Sequence, residues 1–262
     1  SAVPGYYNSD RFSKKAVNVG SLRNRGYEIT IQSNNLQTKD LTWTTMLNFG
    51  HNHNELTKIY GEENQIISGV RIHKVGEPYY SYYGYEYAGV DPNTGRESYY
   101  LNNGTSNARN TTINPNEAKK VIIGNHETKI EGGFSNNITW KFIDFGLNFT
   151  FSLGGKAFDA ATWQHNNGNY TFGGQLPTYY DINKMWTGPG DTNASQPVFQ
   201  YGNSSEVSSR WLMPTDYLRL KSLTLGFTAP SQWVTRIGLS KARAFFSASN
   251  LLTWKSKDLY VD

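Results

Sequence analysis

The sequence predicts an all-β fold: a segment of a large antiparallel transmembrane β-barrel with about six barrel strands and long extracellular loops. Three observations predict it. Residues 138–153 (ITWKFIDFGLNFTFSL) alternate with a period of two from Ile143, placing Ile143, Phe145, Leu147, Phe149, Phe151 and Leu153 on one face and Asp144, Gly146, Asn148, Thr150 and Ser152 on the other. Such a segment has one apolar and one polar face, and it approaches the roughly 9–11 residues that cross a bilayer as a tilted strand. The links between strands alternate between short and very long. Aromatic residues gather near the strand ends.

The first strand is predicted at 26–33 (GYEITIQS), with Tyr27, Ile29 and Ile31 on one face. The second covers 41–49 (LTWTTMLNF), where Leu41, Trp43, Thr45, Leu47 and Phe49 alternate with Thr42, Thr44 and Asn48. The third and fourth are at 129–138 and 142–153, the fifth at 217–228 (YLRLKSLTLGFT) and the sixth at 243–252 (RAFFSASNLL). The fifth breaks its own alternation, since Leu218 and Leu220 share one face while Leu223, Leu225 and Phe227 fall on the other. A bulge near Lys221–Ser222 reconciles them; the alternative places Arg219 and Lys221 above the lipid zone.

Links within pairs of strands are short or moderate, at 34–40, 137–141 and 229–241, whereas those between pairs run from 52 to 128 and from 154 to 216. Structureless loops of that size are improbable in a compact soluble domain. They are normal on one side of an outer-membrane barrel, opposite short periplasmic turns. Trp43 and Trp140 lie beside short turns, Trp233 within one and Trp254 at the opposite end, as the two aromatic girdles of a barrel require. The first long loop contains its own hairpin, residues 79–90 and 96–101 around the Asp91-Pro92-Asn93-Thr94-Gly95 turn. A short helical turn is expected near 181–186.

The chain has 262 residues, 37% hydrophobic and 15% aromatic, and a formal charge of +4 without a dense Lys/Arg block. It holds no run of about 18 apolar residues, so no transmembrane helix is expected. Scattered basic residues make nucleic acid a poor partner. With no cysteine, disulfides and thiolate metal sites are excluded. There is no Gly-x-Ser-x-Gly elbow, phosphate loop or His-Glu-x-x-His motif. His51 and His53 share a strand face but have no third ligand, and Glu62–Glu63 reads as a solvated acidic step. No enzyme activity, catalytic residue, metal or cofactor is therefore assigned. The candidate substrate-binding or lid-contact residues are loop aromatics, Tyr79, Tyr80, Tyr82, Tyr83, Trp163, Tyr179, Tyr180 and Trp186. Their amphipathic rings offer large contact area and a polar handle, although high β-propensity alone accounts for a Tyr-rich hairpin.

Four strings, in order, carry a family resemblance. NVGSLRNRGYE at 18–28 resembles the NxGxxxNxGxE signature of the SusC/RagA-like TonB-dependent outer-membrane transporters of Bacteroidetes. GVDPNTG at 89–95 is similar to that family's GxDPxTG turn, DYLRLKSLTLGF at 216–227 to its YLRLKNLTLGY strand, and ARAFFSASNLLT at 242–253 to its ARxxxSxxNLLT region. The resemblance implies that residues 1–262 are the C-terminal portion of a 22-stranded barrel. It also implies that the plug, the TonB box and the closing strand lie outside this chain. It further implies coupling to TonB-ExbB-ExbD through N-terminal regions, a SusD-like surface lipoprotein as a lid, outer-membrane lipid around the wall, and oligosaccharide or peptide substrates. Where the family often carries an Asp-rich stretch after the turn, this chain has NNGTSN at 102–107, so no calcium site is carried over. The rival readings are a passive barrel or surface adhesin, and a soluble β-rich glycan-binding domain or glycoside hydrolase.

Overall fold

The computed structural model describes residues 2–5, 15–18, 20–60, 64–166, 181–198, 205–257 and 259. The chain divides into two compact units, each described by itself. The sheet unit comprises Asn24–His53, Glu127–Gly155 and Pro214–Asp262; the loop unit comprises Ser1–Arg23, Asn54–His126 and Lys156–Met213.

Six strands, β1 (Gly20–Gln37), β2 (Leu41–Ile59), β3 (Ile130–Trp140), β4 (Ile143–Leu153), β5 (Tyr217–Thr228) and β6 (Arg243–Lys255), form one antiparallel sheet in chain order. It is a meander whose edges are β1 and β6. The two long connections leave and rejoin the sheet at the same end, between β2 and β3 and between β4 and β5. The tight β3–β4 turn works because Lys141 adopts a left-handed conformation, with φ 51°. Among the described residues no helix is long and apolar enough to cross a membrane, which says nothing of crossing by strands.

Register fixes the two faces. Trp43 pairs with Ile138, Ile138 with Phe145, Phe145 with Leu225, and Leu225 with Phe246. Four residues along β2, β3 and β4, Leu47, Phe134 and Phe149 form with Leu220 and Leu252 another apolar row. Cross-strand pairs of this kind stabilise a sheet by roughly 0.2–1 kcal/mol each. The opposite face carries Asn48, Gly133, Thr150 and Arg219 in one row and Thr139, Asp144 and Gly226 in another. There Arg243 donates to Asp144 at 2.6 Å, and Gly226 leaves the space, since a Cβ at that position would overlap the Asp144 carboxylate.

Among the described residues, large side chains of the apolar face lie open to the surroundings. Trp43, Trp140, Phe246, Leu252 and Trp254 are all exposed, Phe246 by 61%. Among the described residues, the buried apolar side chains of the sheet unit are Leu220 and Val234, whereas Leu56, Ile72, Tyr82, Tyr99 and Trp211 all belong to the loop unit. A water-soluble sheet buries its apolar face; this one leaves it bare, as a sheet surrounded by hydrocarbon does. Trp233, in the short helix Ser231–Val234 of the β5–β6 link, lies 6.4 Å from both Phe142 and Phe227 and extends the aromatic cluster at the turn end.

The broken alternation of β5 is a bulge. Leu220 pairs with Phe149 and Ser222 with the adjacent Asn148, leaving Lys221 extra. Across the next ladder Leu220 pairs with Leu252 but Ser222 with Ser249, so β6 has an extra residue of its own. Asn250 occupies this second bulge with φ 53°, a region that Asn tolerates and β-branched residues do not. Two successive bulges increase the local twist while returning Leu220 and Leu223 to one face.

The strands outrun their sequence-based limits. β1 was expected over 26–33 and β2 over 41–49. Pairing continues past both into residues such as Arg23, Arg25, His51 and His53, where apolar alternation has stopped but the backbone ladder has not. We expect Asn250→Val to destabilise the folded protein by about 1–2 kcal/mol and Asn250→Gly to be nearly neutral. The midpoint at which heat abolishes the folded band of the intact protein in detergent electrophoresis checks this; equal midpoints for the two variants would remove the left-handed constraint.

Candidate functional site

The loop unit is folded rather than irregular. Strands at Val121–Asn125, Ser81–Gly84, Arg71–Lys74 and Gln65–Ser68 form a four-stranded sheet in that order. Thr111–Thr112, Glu97–Tyr100 and Tyr87–Val90 form a three-stranded sheet, and Lys156–Phe158 pairs with Leu212–Pro214. The segment expected as one hairpin arm over 79–90 is thus split between two sheets. The division falls at Tyr85, whose N–H donates to Val207 O at 2.9 Å while its carbonyl accepts from Ser209 N.

That exchange ties the second long connection to the first. Asp91 accepts from the Asn93 and Thr94 amides and from the Thr94 hydroxyl at 2.7 Å, closing the Asp-Pro-Asn-Thr-Gly turn. The turn presents Gly95 at φ 70°, and the Trp186 ring lies where a Cβ would stand. The Trp186 indole donates to Pro92 O at 2.9 Å, Gly190 N donates to the same carbonyl, and Val198 N donates to Gly95 O. The 3-10 turn Ile182–Lys184, capped by Asp181, brings Trp186 to this position, close to the helical turn expected from sequence.

A buried ion pair forms the second tie. Glu97 and Arg210 are nine-tenths buried and paired. Glu97 also accepts from Ser205 Oγ at 2.7 Å and Tyr99 OH at 2.6 Å, and Arg210 donates to Gln196 Oε1 at 2.6 Å. Burial, then the Glu97 charge, pushes the Tyr99 phenol far above its ordinary range, so Tyr99 stays a neutral donor. The Arg109 hydrogen bond holds the Glu86 carboxyl below its usual value. Nothing in the spacing of Glu97, Ser205 and Arg210 marks them in sequence; each is a single polar residue in a long connection.

The sequence-predicted aromatics are placed as follows. Tyr79 and Tyr80 adjoin, with centroids 4.8 Å apart and rings nearly perpendicular, and they continue a row of rings: His73 stacks on Tyr79 at 4.4 Å and His126 meets Tyr80 edgewise at 4.9 Å. The guanidinium of Arg71 lies over Tyr80, 4.9 Å from its centroid. Tyr83 is half-buried on the strand that follows. Tyr82 is buried, 6.3 Å from Phe158. The Trp163 indole donates to Ser205 O at 3.0 Å, and its ring meets Phe158. Trp186 packs on Gly95. Tyr179 and Tyr180 lie outside the described residues. The structure therefore groups Tyr79 with Tyr80, adds His73, His126 and Arg71 to them, and sets Tyr82, Trp163 and Trp186 into the packing of the unit. Among the described residues no group of three or more His, Cys, Asp or Glu is placed to hold a metal. His53 instead lies 3.0 Å from Glu127, and His51 meets the Tyr27 ring.

No protein-family model matches the chain. It is similar to TonB-dependent receptor P3 of Formosa agariphila, at 28% identity over 92% of this chain and 25% of the relative. It is similar also to TonB-dependent receptor SusC of Bacteroides thetaiotaomicron, at 25% identity over 84% of this chain and 22% of the relative. Among solved structures, the RagAB peptide transporter superposes with a TM-score of 0.74 at 25% identity, covering 93% of this chain and 27% of that one. The RagAB peptide importer in its closed-closed state gives 0.75. The chain thus spans about a quarter of the length of the relatives it matches.

Two outcomes are expected at the Asp91 turn. Trp186→Ala should cost the loop unit about 2 kcal/mol of packing and raise amide exchange at 91–96 and 186–198 together; a rise confined to one segment would mean the two connections fold independently. The Thr94 hydroxyl and the turn amides lower the Asp91 pKa, and the Thr187 amide heads the bonds that lower that of Asp191. A depressed carboxyl stabilises the fold above its unfolded value of about 4 and loses that contribution as pH falls through its folded value. The Trp186 fluorescence, taken as the difference between wild type and Trp186→Phe, should therefore shift toward that of exposed indole below about pH 4; a signal unchanged down to pH 2 would contradict the turn's role.

Proposed function

We propose that this chain is a segment of a SusC/RagA-like TonB-dependent transporter, and that it forms wall and vestibule of an outer-membrane active importer of oligosaccharides or peptides. One observation carries the reading. Among the described residues, a six-stranded antiparallel meander exposes an apolar face, keeps short turns at one end and has both long connections leave it at the other.

In this reading β1 to β6 are C-terminal wall strands of a 22-stranded barrel. The edges of β1 and β6 pair with further strands, because an unpaired ladder in hydrocarbon leaves backbone groups unsatisfied. The apolar rows meet lipid, with Trp43, Trp140 and Trp233 at one interface and Trp254 toward the other. The polar face, rich in Thr, Ser, Asn and Gly, turns to the lumen, which a plug fills and which TonB-ExbB-ExbD opens by acting on regions outside this chain. The loop unit shapes the extracellular vestibule, where a SusD-like lipoprotein closes over the substrate. Tyr79, Tyr80 and Tyr83 are the aromatics left with accessible surface to meet substrate or lid; Tyr179 and Tyr180 belong to the same proposal on sequence grounds. The segment performs no covalent chemistry; it supplies route and recognition.

The test is a charge on the apolar face. Phe149→Arg in the intact protein should cost about 2–4 kcal/mol near the bilayer midplane and sharply lower the amount assembled in the outer membrane. Asn148→Arg, on the neighbouring polar face, should assemble. Normal assembly of Phe149→Arg would overturn the face assignment.

A further inference from the structure

The row His73, Tyr79, Tyr80 and His126 is built rather than incidental. Tyr79 is held from both sides: its amide donates to Asn54 Oδ1 at 3.1 Å, and its carbonyl lies 2.7 Å from His73 Nδ1. A carbonyl only accepts, so Nδ1 of His73 carries the proton, and in the neutral ring Nε2 is left as an acceptor. Ile72, 2% exposed, anchors the strand between Arg71 and His73, which alternation places on its other face. Tyr80, Arg71 and His126 are exposed. Arg71 has no carboxylate partner among the described residues; its guanidinium rests on the Tyr80 ring.

An exposed guanidinium resting on an aromatic ring retains free N–H groups in the fork that matches a carboxylate. Beside it, Tyr and His rings offer apolar surface and hydroxyl, N–H and imine groups for hydrogen bonding. Resting on the importer reading above, we propose that Arg71, His73, Tyr79, Tyr80 and His126 form a binding site for an acidic sugar, the uronate residue of an oligosaccharide. Arg71 takes the carboxylate, the Tyr79 and Tyr80 rings take the C–H face of the pyranose, and His73 Nε2 accepts from a ring hydroxyl. The contacts that fix Tyr79 hold this arrangement before the ligand arrives, which spares the cost of ordering it on binding.

The test uses the full-length transporter with its lipoprotein partner, titrated by calorimetry with trigalacturonate, maltotriose and trialanine at one ionic strength. Trigalacturonate should bind about tenfold or more tightly than maltotriose, the scale of one charge-assisted pair. Arg71→Gln should remove that preference and leave maltotriose binding unchanged. Tyr80→Ala should weaken trigalacturonate, and Tyr80→Phe should retain most of its affinity, which separates a lost ring from a lost fold. Equal affinity for the acidic and neutral trisaccharides, indifference to Arg71→Gln, binding of trialanine alone, or no binding at all would each overturn the site. Recovery of the complex from the outer membrane is read separately: an assembled complex without the uronate preference sinks this site and leaves the importer, whereas absence from the outer membrane sinks the importer reading itself.

Discussion

Everything in this structure depends on a sheet whose apolar face, among the described residues, carries large exposed side chains. In water such a face drives association or collapse, because each buried large side chain gains roughly 1.5–3 kcal/mol. Here the rows through Phe145, Phe149 and Phe151 run across five strands, with Trp43, Phe246 and Trp254 open to the surroundings. In the proposed reading the hydrocarbon of a bilayer supplies the layer on that face. That one constraint dictates the antiparallel ladder, which satisfies the backbone internally. It also dictates the strict two-residue period and the bulges that restore a face where the period slips.

The second unit obeys ordinary globular rules. It has its own buried side chains, Ile72, Tyr82, Tyr99 and Trp211, a buried ion pair at Glu97 and Arg210, and a capped turn at Asp91 locked by Trp186. Two connections far apart in sequence are joined there into one body, and that order makes a defined binding surface possible. Removing one partner of a buried pair such as Glu97–Arg210 typically costs about 3–5 kcal/mol, so the tie between the connections is strong relative to the turn contacts alone. A sheet with an exposed apolar face and a unit with an ordinary buried core can thus be specified by one chain with different side-chain rules in alternate segments.

The division of labour also explains what was legible in the sequence. The six wall strands and the slip at Lys221 could be read because lipid on one face and water on the other impose alternation on every residue. The outer ends of β1 and β2 could not, since beyond the apolar band the ladder persists with His51, His53 and Arg25 in place of apolar residues. The second bulge was hidden because the adjacent pairs Phe245–Phe246 and Leu251–Leu252 put apolar side chains on both faces and leave no period to break, and Asn250 declares itself only by its left-handed backbone. In the loop unit, the Asp-Pro-Asn-Thr-Gly turn announced itself through turn chemistry, but the short strands at Gln65–Ser68, Arg71–Lys74 and Val121–Asn125 have no such period. The pairing of Tyr79 and Tyr80 with His73, His126 and Arg71 arises from contacts up to 46 positions apart. Composition marked aromatic residues as candidates; only the fold separated those spent on packing, Tyr82, Trp163 and Trp186, from those with surface to offer.

The central claim is that alternate residues of these strands face lipid and water. The chain has no cysteine, so single cysteines are introduced one at a time from 143 to 153 and from 217 to 228 in the intact protein, with any cysteine elsewhere in it replaced by serine. Each is labelled with an environment-sensitive fluorophore and read for quenching by nitroxide-labelled lipid in reconstituted membranes. Quenching at 145, 147, 149 and 151 but not at 146, 148 and 150, with the phase reversing once at 221, is the result this account requires. Uniform quenching, uniform exposure to water, or an unbroken phase through 221 would contradict it.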